Sequence, residues 1–302
     1  MSIVVVGSVA YDTVITPYGR ADDTLGGAAT FFSVAASYFC PVQVVGVVGE
    51  DFSESDVDVF RARGIDIQGI EHRPGRSFRW GGEYSWNLNE RETLFTELNV
   101  FEEFDPVLPP SYRATPHVFL ANIAPELQLS VLNQVDAPRL VALDTMNYWI
   151  EGSRDALGEV LKRVDILVIN DEEARQLADD YNLVKAAESI LTMGPTAIII
   201  KRGEHGATAF LGDDVFTVPG YPLRDLADPT GAGDTFAGGF MGHLARSGEH
   251  GPDGLRRAIV AGSVMASFCV EGFSLDGIRK LDQDRIADRY RAFQALTRFG
   301  DF

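Results

Sequence analysis

Short segments that are apolar at every position alternate with longer amphipathic segments along most of this chain of 302 residues. Such continuous apolar runs are typical of strands in a parallel sheet that helices cover on both faces. The predicted strands are 3–6, 42–48, 117–123, 139–143, 165–169 and 196–200. The predicted helices are 28–39, 53–63, 126–135, 153–163, 172–193 with a break near Asp180, 232–246, 255–269 and 282–298. This order predicts an α/β fold with a doubly wound, mostly parallel sheet.

One segment near the first third of the chain interrupts the alternation. In residues 78–86 large apolar residues alternate with polar ones around Gly81-Gly82. This pattern predicts a hairpin with its turn at the two glycines. Together with residues 13–18 and 93–97, the segment forms either a small antiparallel sheet that projects from the main body or an edge hairpin of the main sheet.

A second hairpin is predicted at residues 207–218. We expect one domain over residues 1–302 that carries a small β-sheet lid, formed by about residues 12–25 and 76–99. The lid has aromatic residues that would either close over a substrate or pack against the lid of a second subunit in a homodimer.

Composition excludes several classes of protein. Lysine and arginine number 26 against 44 acidic residues, a net charge of −18, which argues against a broad nucleic-acid-binding surface. No apolar run approaches the roughly 18–20 residues that a membrane helix needs, so no membrane association is expected. Two cysteines provide no disulfide framework, and the first residues do not resemble a signal peptide, so we expect a cytoplasmic protein.

The most informative motif is a glycine-rich turn at residues 228–240, in which Gly231-Ala232-Gly233-Asp234 opens a helix. Exposed amides and the helix dipole make such a turn an anion site. Asp234 is either an acid that stabilises the helix N-terminus or a base held beside a phosphate. Phe236 stands where a dinucleotide fingerprint needs its third glycine, which disfavours NAD, and the chain has no P-loop motif.

Residues 228–240 closely resemble the C-terminal signature of the ribokinase-like (PfkB-type) carbohydrate kinases. Four earlier segments also resemble landmarks of that family and occur in the same order as in the family: residues 7–12, 25–27, 170–173 and 201–206. The resemblance therefore covers essentially the whole chain. It implies the ribokinase-like fold and an ATP-dependent kinase that phosphorylates a hydroxyl of a small sugar, polyol or nucleoside. The alternative is a catalytically idle nucleotide- or sugar-binding regulatory protein of the same fold.

The resemblance also implies roles for individual residues. Asp234 would be the catalytic base, while Gly231, Ala232 and Gly233 would form the turn that stabilises the transferring phosphoryl group. The implied substrate-binding residues are Asp12, Gly26 and Gly27. The implied nucleotide-binding residues are Asn170, Glu173, Lys201, Gly203, Gly206 and Thr230. Glu173 would act on Mg²⁺ through water, and Asp228 with the Thr230 carbonyl matches positions that hold a monovalent cation such as K⁺ in family members.

Purely structural interpretations of these residues stay open. Asn170 and Glu173 have the spacing of a helix cap, and Asp12 is also a residue type that caps turns. Lys201 either touches a phosphate or extends from a strand end into solvent. Gly203 and Gly206 are also compatible with a plain turn.

The chain departs from the family pattern at two positions. Phe31 follows the di-glycine segment where many members have an asparagine, and Trp149 replaces the arginine of a D-x-N-x-R element. Both changes remove polar groups from the expected substrate and phosphate regions. We therefore favour a neutral acceptor over a phosphorylated sugar, for which Arg79 and Arg91 in the lid are the available cations.

Overall fold

The computed structural model describes residues 1–212, 214–298 and 300. Its strands are β1 (Ile3–Val6), β2 (Ala10–Thr16), β3 (Gly19–Gly26), β4 (Val42–Val48), β5 (Asp66–His72), β6 (Phe78–Tyr84), β7 (Arg91–Glu97), β8 (His117–Leu120), β9 (Leu140–Asp144), β10 (Ile166–Asn170), β11 (Ala197–Lys201), β12 (Ala207–Leu211) and β13 (Asp214–Val218). Its helices are α1 (Ala28–Ala36), α2 (Glu54–Arg61), α3 (Pro125–Leu132), α4 (Asn147–Gly152), α5 (Arg154–Leu161), α6 (Asp171–Ala178), α7 (Leu183–Leu191), α8 (Ala232–Ser247), α9 (Pro252–Cys269) and α10 (Gln283–Thr297). None of the helices in this part of the chain is long and apolar enough to cross a membrane.

A large sheet has the strand order β13-β12-β11-β10-β9-β8-β1-β4-β5. Neighbouring strands pair parallel throughout the part of the sheet that contains β11, β10, β9, β8, β1, β4 and β5. At the other edge, β12 pairs antiparallel with both β11 and β13. The central strands are buried on both faces, which explains why they are apolar at every position. The predicted doubly wound sheet is confirmed. Strand β5 was not predicted, because an edge strand mixes polar and apolar residues.

Helices cover both faces of this sheet. One core contains buried residues of α1, α8 and α9, and a second core contains buried residues of α3, α5, α6 and α7. The predicted break near Asp180 is confirmed, because Asp179 takes a left-handed conformation after α6 (φ 54°). The Asn182 side chain then caps α7 by accepting the Val184 amide at 2.9 Å.

The hairpin predicted at residues 207–218 is confirmed as β12 and β13. Residue 213, which separates them in the sequence, lies outside the described residues.

A separate small sheet has the strand order β3-β2-β6-β7. It is mixed rather than antiparallel, because β2 and β6 run parallel. The predicted turn at Gly81-Gly82 is wrong, since both glycines lie inside β6. A Cβ on Gly81 would lie 2.4 Å from the Phe95 ring, and one on Gly82 would lie 2.3 Å from the Trp80 ring. The two glycines therefore make room for aromatic rings rather than for a chain reversal.

Candidate active site

Gly231 opens α8 in a conformation that only glycine adopts easily. Its φ is 73°, and a Cβ there would lie 2.4 Å from the ring of Phe31. The Ala232 amide donates to the Pro229 carbonyl at 3.1 Å. The next amides, those of Gly233 and Asp234, belong to the first helical turn, whose N–H groups have no carbonyl one turn earlier to bond. The turn is thus shaped to receive an anion.

Asp234 lies in this first turn, and its side chain is partly exposed. The pKa of its carboxyl is raised to about 7, mainly by burial and also by the nearby Asp144 carboxylate, against the lowering effect of the Lys201 ammonium. A carboxylate with that pKa is suited to accept a proton near neutral pH.

Lys201, the last residue of β11, lies next to the turn instead of extending into solvent. Its Nζ lies 3.1 Å from Asp144 Oδ2, and a Cβ on Gly233 would lie 3.1 Å from the same Nζ. Burial alone would lower the pKa of Lys201, but the carboxylates of Asp144, Glu173 and Asp234 outweigh that effect and raise it. The lysine therefore remains charged beside the anion turn.

Asn170 and Glu173 form a complete capping box at the start of α6. The Asn170 side chain accepts the Glu173 amide at 2.7 Å, and Glu173 Oε2 accepts the Asn170 amide at 2.8 Å. The structural interpretation of this pair is therefore present in the fold. Burial raises the pKa of Glu173 to about 7, against the lowering effect of Lys201. Their nucleotide-binding role stays a prediction.

Asp12 lies against Gly26 of the di-glycine segment. A Cβ on Gly26 would lie 2.0 Å from Asp12 Oδ2, and one on Gly27 (φ 91°) would lie 2.6 Å from the Ser8 carbonyl oxygen. The pKa of Asp12 is raised to about 7, mainly by burial and also by the charges of Asp228 and Asp234, against the lowering effect of a hydrogen bond from the Gly27 backbone. Asp12 is thus within electrostatic reach of the anion turn.

Gly203 and Gly206 shape the connection from β11 to β12. Both have positive φ, 53° and 87°, and a Cβ on Gly206 would lie 2.1 Å from the Val218 carbonyl oxygen. Asn89, in the connection between β6 and β7, donates to Glu204 of this turn at 3.4 Å. The turn interpretation is present, and contact with a nucleotide stays a prediction.

The oxygens of Asp228 accept one hydrogen bond from its own loop and one from the segment after α9. Oδ1 accepts the Thr230 amide at 2.7 Å, and Oδ2 accepts the Ser274 amide at 3.3 Å. Thr230 also connects the loop to the small sheet, because its hydroxyl lies 3.2 Å from the hydroxyl of Tyr84 on β6. The small sheet therefore contacts the residue that immediately precedes the anion turn.

The two departures from the family pattern have structural consequences. Phe31 is buried, and its ring occupies the space beneath Gly231. The indole N–H of Trp149 donates to Asn122 Oδ1 at 2.9 Å. Neither position offers the polar side chain that the pattern contains.

The two arginines considered for a phosphorylated acceptor are in different environments. Arg79 is buried and pairs with Asp23 and Asp51, at 2.7 Å each. It is therefore engaged within the protein. The guanidinium of Arg91 lies 5.0 Å from the centre of the Trp80 ring.

Asp144 is a residue that sequence reasoning did not select as a candidate. It ends the apolar strand β9, and its carboxylate is buried against Lys201. A carboxylate at the carboxyl end of a parallel strand was the available signal, because ligands of open α/β sheets bind at that edge.

The chain is similar in sequence to known kinases. The family described as "pfkB family carbohydrate kinase" matches residues 121–276. A cytidine kinase of Thermococcus kodakarensis is 29% identical over 252 residues, covering 82% of this chain and 89% of that protein. A nucleoside kinase of Methanocaldococcus jannaschii is 25% identical over 230 residues, covering 76% of this chain and 73% of that protein.

Solved structures share the fold at lower identity. The crystal structure of the Methanocaldococcus jannaschii nucleoside kinase superimposes with a TM-score of 0.77 at 20% identity, covering 96% of this chain and 98% of that one. The Burkholderia thailandensis nucleoside kinase in complex with inosine has a TM-score of 0.74 at 18% identity, covering 97% and 99%. The predicted ribokinase-like fold is confirmed. The chain belongs to the pfkB family of carbohydrate kinases and is a phosphotransferase with an alcohol group as acceptor.

Proposed function

We propose that this protein transfers the γ-phosphoryl group of ATP to a hydroxyl of a nucleoside. The observation that carries the proposal is the partly exposed Asp234 in the first turn of α8, with the ammonium of Lys201 beside it. The similarity to a cytidine kinase over 82% of the chain supports a nucleoside among the sugars, polyols and nucleosides that the family phosphorylates. A catalytically idle regulatory protein is not favoured, because the similar proteins are named as kinases.

In the proposed reaction Asp234 takes the proton of the acceptor hydroxyl as its oxygen attacks the γ-phosphorus. The new O–P bond forms as the bond from the γ-phosphorus to the β,γ-bridging oxygen breaks, and ADP leaves with that electron pair. The amides of the turn formed by Gly231, Ala232 and Gly233 stabilise the charge on the transferring group.

Asp12, Gly26 and Gly27 bind the acceptor in this proposal. The Asp12 carboxylate is an acceptor for sugar hydroxyls, and the missing side chain of Gly26 leaves it room. The engagement of Arg79 with Asp23 and Asp51 supports a neutral acceptor, because a buried, paired guanidinium is not available to bind a substrate phosphate.

The nucleotide is proposed to lie along the turns that follow β10 and β11, against the following residues: Asn170, Glu173, Lys201, Gly203, Gly206 and Thr230. In the described part of the chain no three His, Cys, Asp or Glu side chains are arranged to hold a metal. Mg²⁺ usually keeps several waters and binds through one or two carboxylates and the substrate phosphates. Glu173, acting through water, would be the carboxylate in this proposal. When bound, Mg²⁺ would neutralise charge on the phosphates.

A monovalent cation such as K⁺ would use Asp228 and the Thr230 carbonyl. Both oxygens of Asp228 accept backbone amides, at 2.7 Å and 3.3 Å, and each carboxylate oxygen has a further lone pair that can bind a cation. Comparing rates in K⁺ and Na⁺ tests this point.

The small sheet is proposed to act as a lid and as the surface of a homodimer. Its β7 strand is exposed along its whole length, including the apolar side chains of Leu94 and Phe95. An exposed apolar edge strand is costly unless a partner covers it. Light scattering after gel filtration should give about twice the mass of one chain, and Leu94→Glu should reduce it to one.

The function is tested with purified protein, Mg-ATP and a panel of nucleosides, sugars and polyols. ADP release is followed by a coupled assay, and the product is identified by mass spectrometry. We expect phosphorylated nucleoside, and we expect Asp234→Asn to abolish it while ATP still binds in calorimetry. ATP binding by the wild-type protein with no transfer to any acceptor would contradict the proposal and favour the regulatory alternative.

A further inference from the structure

Asn122 and Trp149 form a polar and aromatic pair that the family pattern does not account for. Asn122 follows β8, and Trp149 lies in α4, which follows β9. The indole N–H of Trp149 donates to Asn122 Oδ1 at 2.9 Å, and the ring of Tyr148 packs edge-on at 4.7 Å between centroids. The orientation of the indole is thus held by two neighbours.

The bond to the indole also fixes the orientation of the Asn122 amide. An indole nitrogen can only donate, so the oxygen of Asn122 must face it. The amide nitrogen therefore points the other way, where it lies 3.1 Å from Met146 Sδ. A thioether is a weak acceptor, which leaves this NH₂ group able to donate to a ligand.

The pair follows the carboxyl ends of β8 and β9, and in the large sheet β8 lies between β9 and β1, the strand that leads to Asp12. On one side, Ala121, which precedes Asn122, is packed so closely that a Cβ on Gly7 would lie 2.7 Å from its Cβ. On the other side, Gln128 Nε2 donates to the carbonyls of Ala121 (3.0 Å) and Asp144 (3.2 Å). Gly7 begins the segment that leads to Asp12, and Asp144 pairs with Lys201. The backbone just before Asn122 therefore packs against the segment that leads to Asp12 and is linked through Gln128 to the strand that ends at Asp144.

We propose that Asn122 and Trp149 recognise the base of the nucleoside acceptor, an inference that rests on the function proposed above. The Asn122 amide donates to a ring nitrogen or carbonyl oxygen of the base, and the indole provides an apolar surface for the heterocycle. An acyclic polyol offers no flat surface to the indole, whereas a nucleobase offers a flat ring together with acceptors in its plane. Replacing the arginine of the family pattern by Trp149 would therefore suit a flat, neutral aglycone.

Two variants test the pair separately. Asn122→Asp keeps an oxygen for the indole but replaces the donating NH₂ group by an acceptor. Trp149→Phe keeps an aromatic ring but removes the N–H that orients Asn122. For both variants we expect the KM for cytidine to rise by about tenfold or more while the KM for ATP stays within about twofold. We also expect the ratio of kcat/KM for cytidine to that for adenosine to change, because the two bases present different acceptors.

Asn133→Asp is the matched control, because Asn133 follows the other end of α3 and its side chain accepts from Arg163. It should leave all of these values unchanged, and thermal melts show whether each variant folds. An unchanged cytidine-to-adenosine ratio in both folded variants, or equal increases in the KM values for cytidine and ATP, would overturn this inference alone. A wild-type protein that phosphorylates sugars but no nucleoside would overturn the proposed acceptor as well.

Discussion

The Nζ of Lys201 lies 3.1 Å from Oδ2 of Asp144, and the two residues end the strands β11 and β9. The pair is largely buried, with side-chain exposures of 18% and 7%. Strand β10 separates β9 from β11, so the contact joins side chains across a whole strand at the edge where the glycine-rich turn lies. The charge of Lys201 is therefore positioned by a carboxylate from a distant part of the sequence.

Asp144→Asn should weaken the contribution of Lys201 to nucleotide binding. The side chain keeps the shape that accepts the Thr145 amide at 2.9 Å but loses the charge that holds the ammonium. We expect kcat/KM for ATP to fall by about tenfold or more, with a smaller change in the KM of the acceptor. Steady-state kinetics with each substrate varied in turn measures both effects.

A double-mutant cycle with Lys201→Met shows whether the two residues act together. If Asp144 acts through Lys201, the kcat/KM for ATP of the double variant should lie within about threefold of the value for the less active single variant. A loss in the double variant equal to the product of the two single losses in kcat/KM would contradict that coupling. Asp51→Asn, which weakens the Arg79 pair of the small sheet, is the control and should combine independently with Lys201→Met.

The rate of phosphoryl transfer should rise with pH through about 7. Burial raises the pKa of Asp234 to about 7, and only the ionised form can accept the hydroxyl proton. We expect kcat, measured with both substrates saturating, to increase below that pH and to level off above it. Asp234→Asn should lower kcat by about 10²–10⁴. A variant that keeps the wild-type rate and pH profile would exclude Asp234 as the base.

Gly231→Ala should damage both folding and transfer. The new Cβ would lie 2.4 Å from the Phe31 ring at a φ of 73°, so the turn must shift or the ring must move. We expect a loss of about 1–3 kcal/mol in the free energy of unfolding, together with a lower kcat. Gly158→Ala, inside α5 with no atom within 4 Å of the added Cβ, should instead stabilise by about 0.5–1 kcal/mol. Urea unfolding compares the two, and equal effects would contradict this explanation.

Asp12→Asn should stabilise the protein at high pH and not at low pH. Burial raises the pKa of Asp12 from 3.8 to about 7, so between these pH values the folded protein holds a proton that the unfolded chain has released. Stability from this group is complete below about pH 4, is lost as the pH rises to about 7, and stays lost above it.

Because asparagine does not ionise, the free energy of unfolding of the variant at pH 8 should exceed that of wild type by about 1–4 kcal/mol. Its unfolding temperature at that pH should be higher as well. The difference should vanish near pH 4. Asp58→Asn, an exposed carboxylate of α2, controls for the loss of one negative charge. A constant difference at all pH values would mean that burial of the Asp12 charge is not its cause.

Much of the fold could be predicted from local patterns. The central strands are apolar at every position because helices bury both of their faces, and this requirement is written in each segment independently. The edge strand β5 and the interior position of Gly81-Gly82 could not be predicted in this way. Their conformations depend on neighbours distant in sequence, such as the Phe95 ring that fills the space beside Gly81.

The sequence by itself determined the family, the order of most strands and helices, and the glycine-rich turn with Asp234, because a helix N-terminus and its glycines are encoded within a few adjacent residues. Only the tertiary structure decided the electrostatics of the site. It engaged Arg79 with Asp23 and Asp51, joined Lys201 to Asp144, and oriented the Asn122 amide with its oxygen toward Trp149. Such contacts join residues from separate strands and loops, and their energies depend on burial and distance, which no local segment specifies.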